Sequence, residues 1–323
     1  MSKLKNWFID SFPAPELMTM PAAALDISPN SIKYLDGKYT SDGCLPQVFD
    51  EVFLDEGTIV NGVIKDEDAL IKALSSLRKK HKSKFVSVAI PENALYLYTM
   101  QLSGRPSRSA VLQQIEFTAS EHVPINIEDS VYGFDVVSFA RNSTFISVTV
   151  APIELISGYE RVLSRAGFTV LSIELEAYAV ARAVSALGSG SVSNIGVEMV
   201  LDIGYERAGI IIVRNGLPIF TVTISGGSKA IDVVIDECKK QYTFWDTRTN
   251  HKGHRIERVA GVIVCGGSSK EMIEPLSAAL KVDVELANIW QNLFDINNFV
   301  PMIDAKEALA MATLAGLLLN NKK

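Results

Sequence analysis

The stretch Leu25-Asp26-Ile27-Ser28-Pro29-Asn30-Ser31-Ile32-Lys33 reads as an apolar strand ending in an aspartate, a turn of small and polar residues, and a second strand. The pattern returns at Leu201-Asp202-Ile203-Gly204-Tyr205-Glu206-Arg207. A third stretch, Val262-Ile263-Val264-Cys265-Gly266-Gly267-Ser268, reads as a buried strand closed by a double glycine. Two Asp-bearing hairpins near the starts of two chain halves, followed by a late Gly-Gly turn, predict two related lobes with one nucleotide held between them.

At 323 residues the chain exceeds one simple core, so two lobes are the natural expectation. The net charge of −6 argues against a nucleic-acid binder, which carries a basic balance. Cys44, Cys238 and Cys265 are scattered, without CxxC spacing, which suits a reducing compartment and no disulfide framework. The longest apolar run, from Ala308 to Leu319, is shorter than the roughly 20 residues a spanning helix needs. Residues 1–21 carry Lys3, Lys5 and a small apolar patch at Trp7-Phe8-Ile9, interrupted by Asp10 and Pro13. That reads as a capping segment, or a short amphipathic element touching a membrane or partner, and not as a secretory signal.

Between the hairpins the pattern alternates. Asp66 opens a helix whose Leu70, Leu74 and Leu77 share one face, with Arg78, Lys79 and Lys80 at its negative end. Phe85 to Ile90 is a continuous apolar run that suits a buried parallel strand. Residues 94–166 read as β-α-β-β-α, a compact α+β unit inserted into a larger sheet. Gly188 to Gly196 is a Gly/Ser-rich connection and the best boundary. Past Asn215-Gly216 a third strand follows the second hairpin, so β-β-β occurs in both halves. Residues 228–243 read as a helix, Thr247 to Lys252 as a polar loop, and Ala305 to Leu319 as a final Ala-rich helix. His251 and His254 lie in a polar loop without nearby Cys, a poor zinc site. No Walker A, Gly-x-Gly-x-x-Gly or Gly-x-Ser-x-Gly pattern is present.

In this order the motifs resemble the actin-like ATPase superfamily of actin, chaperone ATPases, sugar kinases and the cell-division protein FtsA. Within it they are most similar to the PilM family of type IV pilus scaffolds. Ala24 to Ile27 with Ser31 to Lys33 resembles a first phosphate loop, Leu201 to Glu206 a second, and Gly266-Gly267-Ser268 an adenosine turn. Val88 to Pro91 leading into Tyr96 to Leu102, with Glu116 to Pro124 and Val150 to Ile156, resembles the inserted subdomain. Glu174 to Ala183 resembles a crossing helix with an acidic start.

The resemblance implies an α/β, actin-like (ribonuclease H-like) duplicated core. The first lobe would comprise residues 1–92, 171–196 and 296–323, the insert 93–170, and the second lobe 197–295. The roof over the nucleotide, at about 228–258, looks truncated. ATP or ADP with Mg would be the cofactors. Asp26, Ser28, Asn30, Ser31, Lys33, Asp202, Gly204, Tyr205, Gly226, Gly227, Gly266, Gly267 and Ser268 would bind nucleotide, and Asp26 and Asp202 would hold Mg through water. Each Asp also suits a hairpin-stabilising role, though their matched contexts favour the metal, and Lys33 equally suits a solvated one.

Glu176 would orient the attacking water, or simply favour the positive helix end. Ser28-Pro29 stands where the family carries a glycine, which removes one amide donor from the loop. A PilN-like bitopic membrane protein is the implied partner. Its tail would dock in a groove bordered by Tyr96, Tyr98, Met100, Ile115 and Ala119. Motor ATPases of the pilus are further implied partners, self-association is allowed, and the location is peripheral to the inner face of the cell membrane. Hydrolysis would be slow or absent. A true ATPase or phosphotransferase and a nucleotide-free adaptor are the alternatives.

Overall fold

The computed structural model describes residues 22–40, 43–185, 196–248, 258–295, 297–301 and 303–320. Residues 1–21, the histidine pair at 251 and 254, most of the 188–196 connection and most of the polar loop after Thr247 lie outside them.

Strands β1 (Ala23–Ile27), β2 (Ser31–Thr40) and β3 (Gly43–Phe53) form an antiparallel meander. A short ribbon, β4 (Ile59–Val60) with β5 (Val63–Ile64), leads to helix α1 (Glu67–Lys80). Asp66 caps that helix, its carboxylate accepting from the Ala69 amide at 2.9 Å. Strand β6 (Phe85–Ile90) then lies parallel to β1.

The insert follows as β7 (Tyr96–Ser103), α2 (Arg108–His122), β8 (Ser130–Phe139) and β9 (Ser143–Pro152). Its strands form a separate three-stranded sheet with β9 in the middle. Helix α3 (Ile153–Arg165), strand β10 (Thr169–Leu175) and helix α4 (Glu176–Val184) return to the first lobe. The second lobe runs β11 (Gly196–Ile203), β12 (Arg207–Arg214), β13 (Leu217–Ser225), α5 (Ile231–Thr247), β14 (Arg258–Cys265), α6 (Ile273–Leu280) and β15 (Val284–Leu286). Helices α7 (Ala305–Leu309) and α8 (Ala312–Asn320) end the described chain.

The lobes repeat one another. One sheet has the order β3-β2-β1-β6-β10 and the other β13-β12-β11-β14-β15. Asp26 lies opposite Lys33 and Ala89, and Asp202 lies opposite Gly209 and Cys265, the same shift along the chain at all three positions. Alternation sorts each first strand between two cores. Ala23, Leu25 and Ile27 face out onto α1 and α3, while Ala24 faces the centre. Met199, Leu201 and Ile203 face out onto α5 and α6, while Val200 faces the centre. The central layer between the two sheets is α4 packed on α8. Gly316 makes that crossing close, since a Cβ there would overlap the carbonyl of Ala179.

Packing crosses two of the boundaries read from sequence. Helix α3, read from sequence as part of the insert, buries Tyr159, Val162 and Leu163 with Leu70, Leu74 and Leu77 in the outer core of the first lobe. The insert's own elements are therefore β7, α2, β8 and β9. Residues 289–294, placed by sequence in the second lobe, bury Ile289, Trp290, Leu293 and Phe294 in the central layer. There the Asn292 amide donates to the carbonyls of Arg182, Ala183 and Ser185, satisfying the end of α4. In the second lobe a 3-10 turn, Gly227–Ala230, leads into α5.

Candidate functional site

The two Asp hairpins converge. Asp26 is buried at the end of β1, Asp202 sits at the matching place in β11, and each lies within the field of Glu176 at the start of α4. Two residues the sequence reading gave no role complete the cluster. Arg207 opens β12 and donates from Nη2 to Glu176 Oε2 at 2.7 Å, an ion pair from the second lobe to the first. Glu92 follows β6 and accepts from Thr221 Oγ1 at 2.6 Å and Thr223 Oγ1 at 3.3 Å, both on β13. A charged residue bounding an otherwise apolar strand was the available signal for both.

Four carboxylates therefore share the cleft with the cations Lys33 and Arg207. Burial is the main reason the Asp26 carboxyl is raised to about 7 and Asp202 to about 6, with the charge of Glu176 next. Glu92 is likewise raised to about 7, by burial and then Glu176. Attraction from Glu176 holds the Arg207 guanidinium charged. Among the described residues no three His, Cys, Asp or Glu side chains close on a point tightly enough to hold a metal directly.

Raised carboxyls have a stability consequence. A carboxyl whose folded pKa is raised stabilises the fold below its ordinary value and loses that contribution as pH rises through the folded value. For Asp26 and Asp202 the loss falls between their ordinary 3.8 and about 6 to 7. Asp26→Asn is expected to gain about 1–3 kcal/mol over the wild type at pH about 8 and little at pH about 5. Urea unfolding at the two pH values checks this; an Asn variant less stable than wild type at both would refute it.

The other predicted residues divide. Asn30 Nδ2 donates to Glu206 Oε2 at 2.6 Å, linking the two hairpin turns across the cleft. Lys33 Nζ donates to the Ala310 carbonyl at 3.2 Å, on the cleft side of β2. Ser28 and Ser31 are consumed within their own turn: Ser28 Oγ donates to the Ser31 carbonyl and accepts from the Ser31 amide. Ser31 Oγ donates to Glu51.

Tyr205 stands 66% exposed at the loop tip, with the Lys229 ammonium over its ring, away from the buried cluster. Gly227 packs onto the Gly204 carbonyl and Arg207 backbone. Gly266, at φ 95°, packs onto Asp202 and Ile203. Such contacts require glycine for close backbone approach between loops, which explains these residues without a ligand. The Ser268 amide is bonded to the Ile203 carbonyl. Glu174, next to the cluster in sequence, is taken by Arg182 in a two-pronged pair at 2.7 and 2.9 Å.

Of the groove residues, Ile115 and Ala119 are fully buried beneath α2 against Ile146, Val148 and Val150, so they line core and not a groove. Tyr96, Tyr98 and Met100 are half-buried at the edge of the same cluster. The Tyr98 ring stacks on His122 with centroids 4.3 Å apart.

Two sheets of identical strand order, enclosing a helix pair and an acid-lined cleft, define an actin-like fold. Solved structures agree. A PilM-PilN type IV pilus biogenesis complex superposes with a TM-score of 0.77 at 17% identity, covering 94% of this chain and 99% of that one. The cytoplasmic domain of EpsL, an inner-membrane component of the Vibrio cholerae type II secretion system, gives 0.51 at 10% identity, covering 92% and 94%. Residues 24–244 match the family described as type IV pilus assembly protein PilM. The chain belongs to that family, a type IV pilus assembly protein of actin-like fold. No helix among the described residues is long and apolar enough to cross a membrane.

Proposed function

We propose that this chain is a cytoplasmic scaffold of the pilus machine. It captures the short cytoplasmic tail of a PilN-like bitopic membrane protein and is organised by a magnesium-bound ATP or ADP between its lobes. Capture of that tail holds it peripherally at the inner face of the membrane. The observation that carries the docking site is strand β7, which among the described residues pairs with β9 alone and forms an end of its sheet. An extended tail adds to such an edge through backbone bonds, with pockets for alternate side chains. Beside the edge, Tyr96, Tyr98 and Met100 offer half-buried apolar surface, and the buried Tyr98 hydroxyl lacks a partner among the described residues.

The cleft fits the nucleotide by its side chains. Magnesium prefers oxygen ligands and keeps several waters, which suits Asp26, Asp202 and Glu176. Lys33 and Arg207 supply donors for phosphate. A ligand held only by the closed lobes shifts the equilibrium toward them. The pairing of Glu176 with Arg207 favours an organising ligand over rapid hydrolysis, because the Glu176 oxygen that would orient a water is held by the guanidinium.

A labelled peptide copying the tail of the membrane protein tests the docking site. Fluorescence anisotropy should show saturable binding that Tyr98→Ala weakens about tenfold, the loss of roughly 1.4 kcal/mol. Binding untouched by that substitution, with circular dichroism unchanged, would move the site elsewhere.

A further inference from the structure

Phosphate loops of ordinary design bind through backbone amides, and here six of those amides are already bonded within the protein. The Ser28 amide donates to the Ser31 carbonyl at 2.9 Å and the Ser31 amide to Ser28 Oγ at 3.1 Å. In the second loop the Gly204 amide donates to the Arg207 carbonyl at 3.0 Å. Beside it the Gly226 amide donates to the Glu206 carbonyl at 2.6 Å. In the third turn the Gly266 amide donates to Leu309 at 2.9 Å and the Ser268 amide to Ile203 at 3.0 Å. Pro29 contributes no amide at all. At Gly227 and Gly266 the room a phosphate would need is filled by protein.

With so many loop amides occupied, the strongest donors in the cleft are charged side chains. Arg207 carries five N–H donors and uses one nitrogen, Nη2, for Glu176. Its side chain is 25% exposed, and its charge acts on Asp26, Asp202, Glu92 and Glu176 together. We propose that Arg207 is the principal phosphate-binding group of this chain, a reading that rests on nucleotide binding in the cleft. Without ligand the guanidinium balances the carboxylates. With a magnesium–polyphosphate present, the metal supplies that positive charge, and Arg207 turns its remaining donors to the phosphate oxygens, where a planar fork pairs two at once. Recognition therefore lies chiefly with one fork from the second lobe and Lys33 from the first, ahead of the loop amides.

Isothermal titration and thermal shift on the full chain test this, with Mg-ATP, Mg-pyrophosphate as an adenine-free probe and adenosine as a phosphate-free one. Wild type should bind Mg-ATP and Mg-pyrophosphate and ignore adenosine. Arg207→Gln should weaken both phosphate ligands about tenfold or more. If that variant does not fold, Arg207→Lys decides: it keeps the charge, loses the fork, and should bind about fivefold more weakly. Wild-type affinity in either folded variant overturns the assignment and leaves nucleotide binding intact. Strong binding of adenosine also overturns it. No binding of Mg-ATP by the wild type removes nucleotide binding itself and the role of Arg207 with it.

Discussion

Replacing Arg207 by methionine is expected to cost the fold about 2–4 kcal/mol at neutral pH, a little below the scale for removing one partner of a fully buried pair. The guanidinium is paired with Glu176 at 2.7 Å and lies in the field of Asp26, Asp202 and Glu92. Its removal leaves Lys33 as the only named cation beside four carboxylates. The loss should depend on pH in a stated direction. Asp26 and Glu92 are held up at about 7 and Asp202 at about 6 with Arg207 present. Without it they rise further, so the carboxyls become neutral at mildly acidic pH and no longer repel. Most of the deficit should therefore vanish at pH about 5. Urea unfolding across this range reads both effects. A deficit that is the same at pH 5 and pH 8 would mean Arg207 stabilises by packing its aliphatic stem, and the charge account would fail.

Gly316→Val is expected to destabilise by about 3–5 kcal/mol, at or above the usual range for overpacking. The residue sits in α8 where that helix crosses α4, and any Cβ meets the Ala179 carbonyl. Backbone cannot yield as a flexible side chain can, so α8 must move away from α4. That movement also strains the bond from Arg182 Nη1 to the Gly316 carbonyl at 2.7 Å. Gly316→Ala should cost less, because the helix shifts less, though its better helical propensity cannot compensate. Denaturant midpoints should fall in the order wild type, Ala, Val, with unchanged slope. An alanine variant as stable as wild type would show that the crossing is looser than described.

The fold was legible in the sequence because its signals are local. An apolar run, an Asp and a turn announce each hairpin, Asp66 announces α1, and the matched order of the halves announces the duplication. What escaped the reading depends on partners distant in sequence. The amphipathic spacing of α3 shows that one face is apolar and cannot say which sheet it covers. Ile115 and Ala119 occupy an apolar helical stripe, and the same stripe suits core or groove until the neighbouring strands are known. Arg207 gains its meaning from Glu176, thirty-one residues away. Gly316 looks ordinary in a run of Ala and Leu, and its necessity appears only when Ala179 lies against it. The predicted phosphate-loop residues were placed near the cleft, but the hydrogen bonds that occupy Ser28, Ser31 and the glycine amides follow from turn geometry that composition does not reveal.

The insert is joined to the first lobe by its two chain connections, yet it is bonded to the second. Ser147 Oγ donates to the Pro218 carbonyl at 2.7 Å, and Asn215 Nδ2 donates to the Val137 carbonyl at 2.8 Å. Glu92, at its threshold, holds Thr221 and Thr223. It thus works as a strut nailed at one end and tied at the other. Any spreading of the lobes loads that strut in shear, so the three-stranded sheet of the insert feels the spacing of the cleft through these bonds.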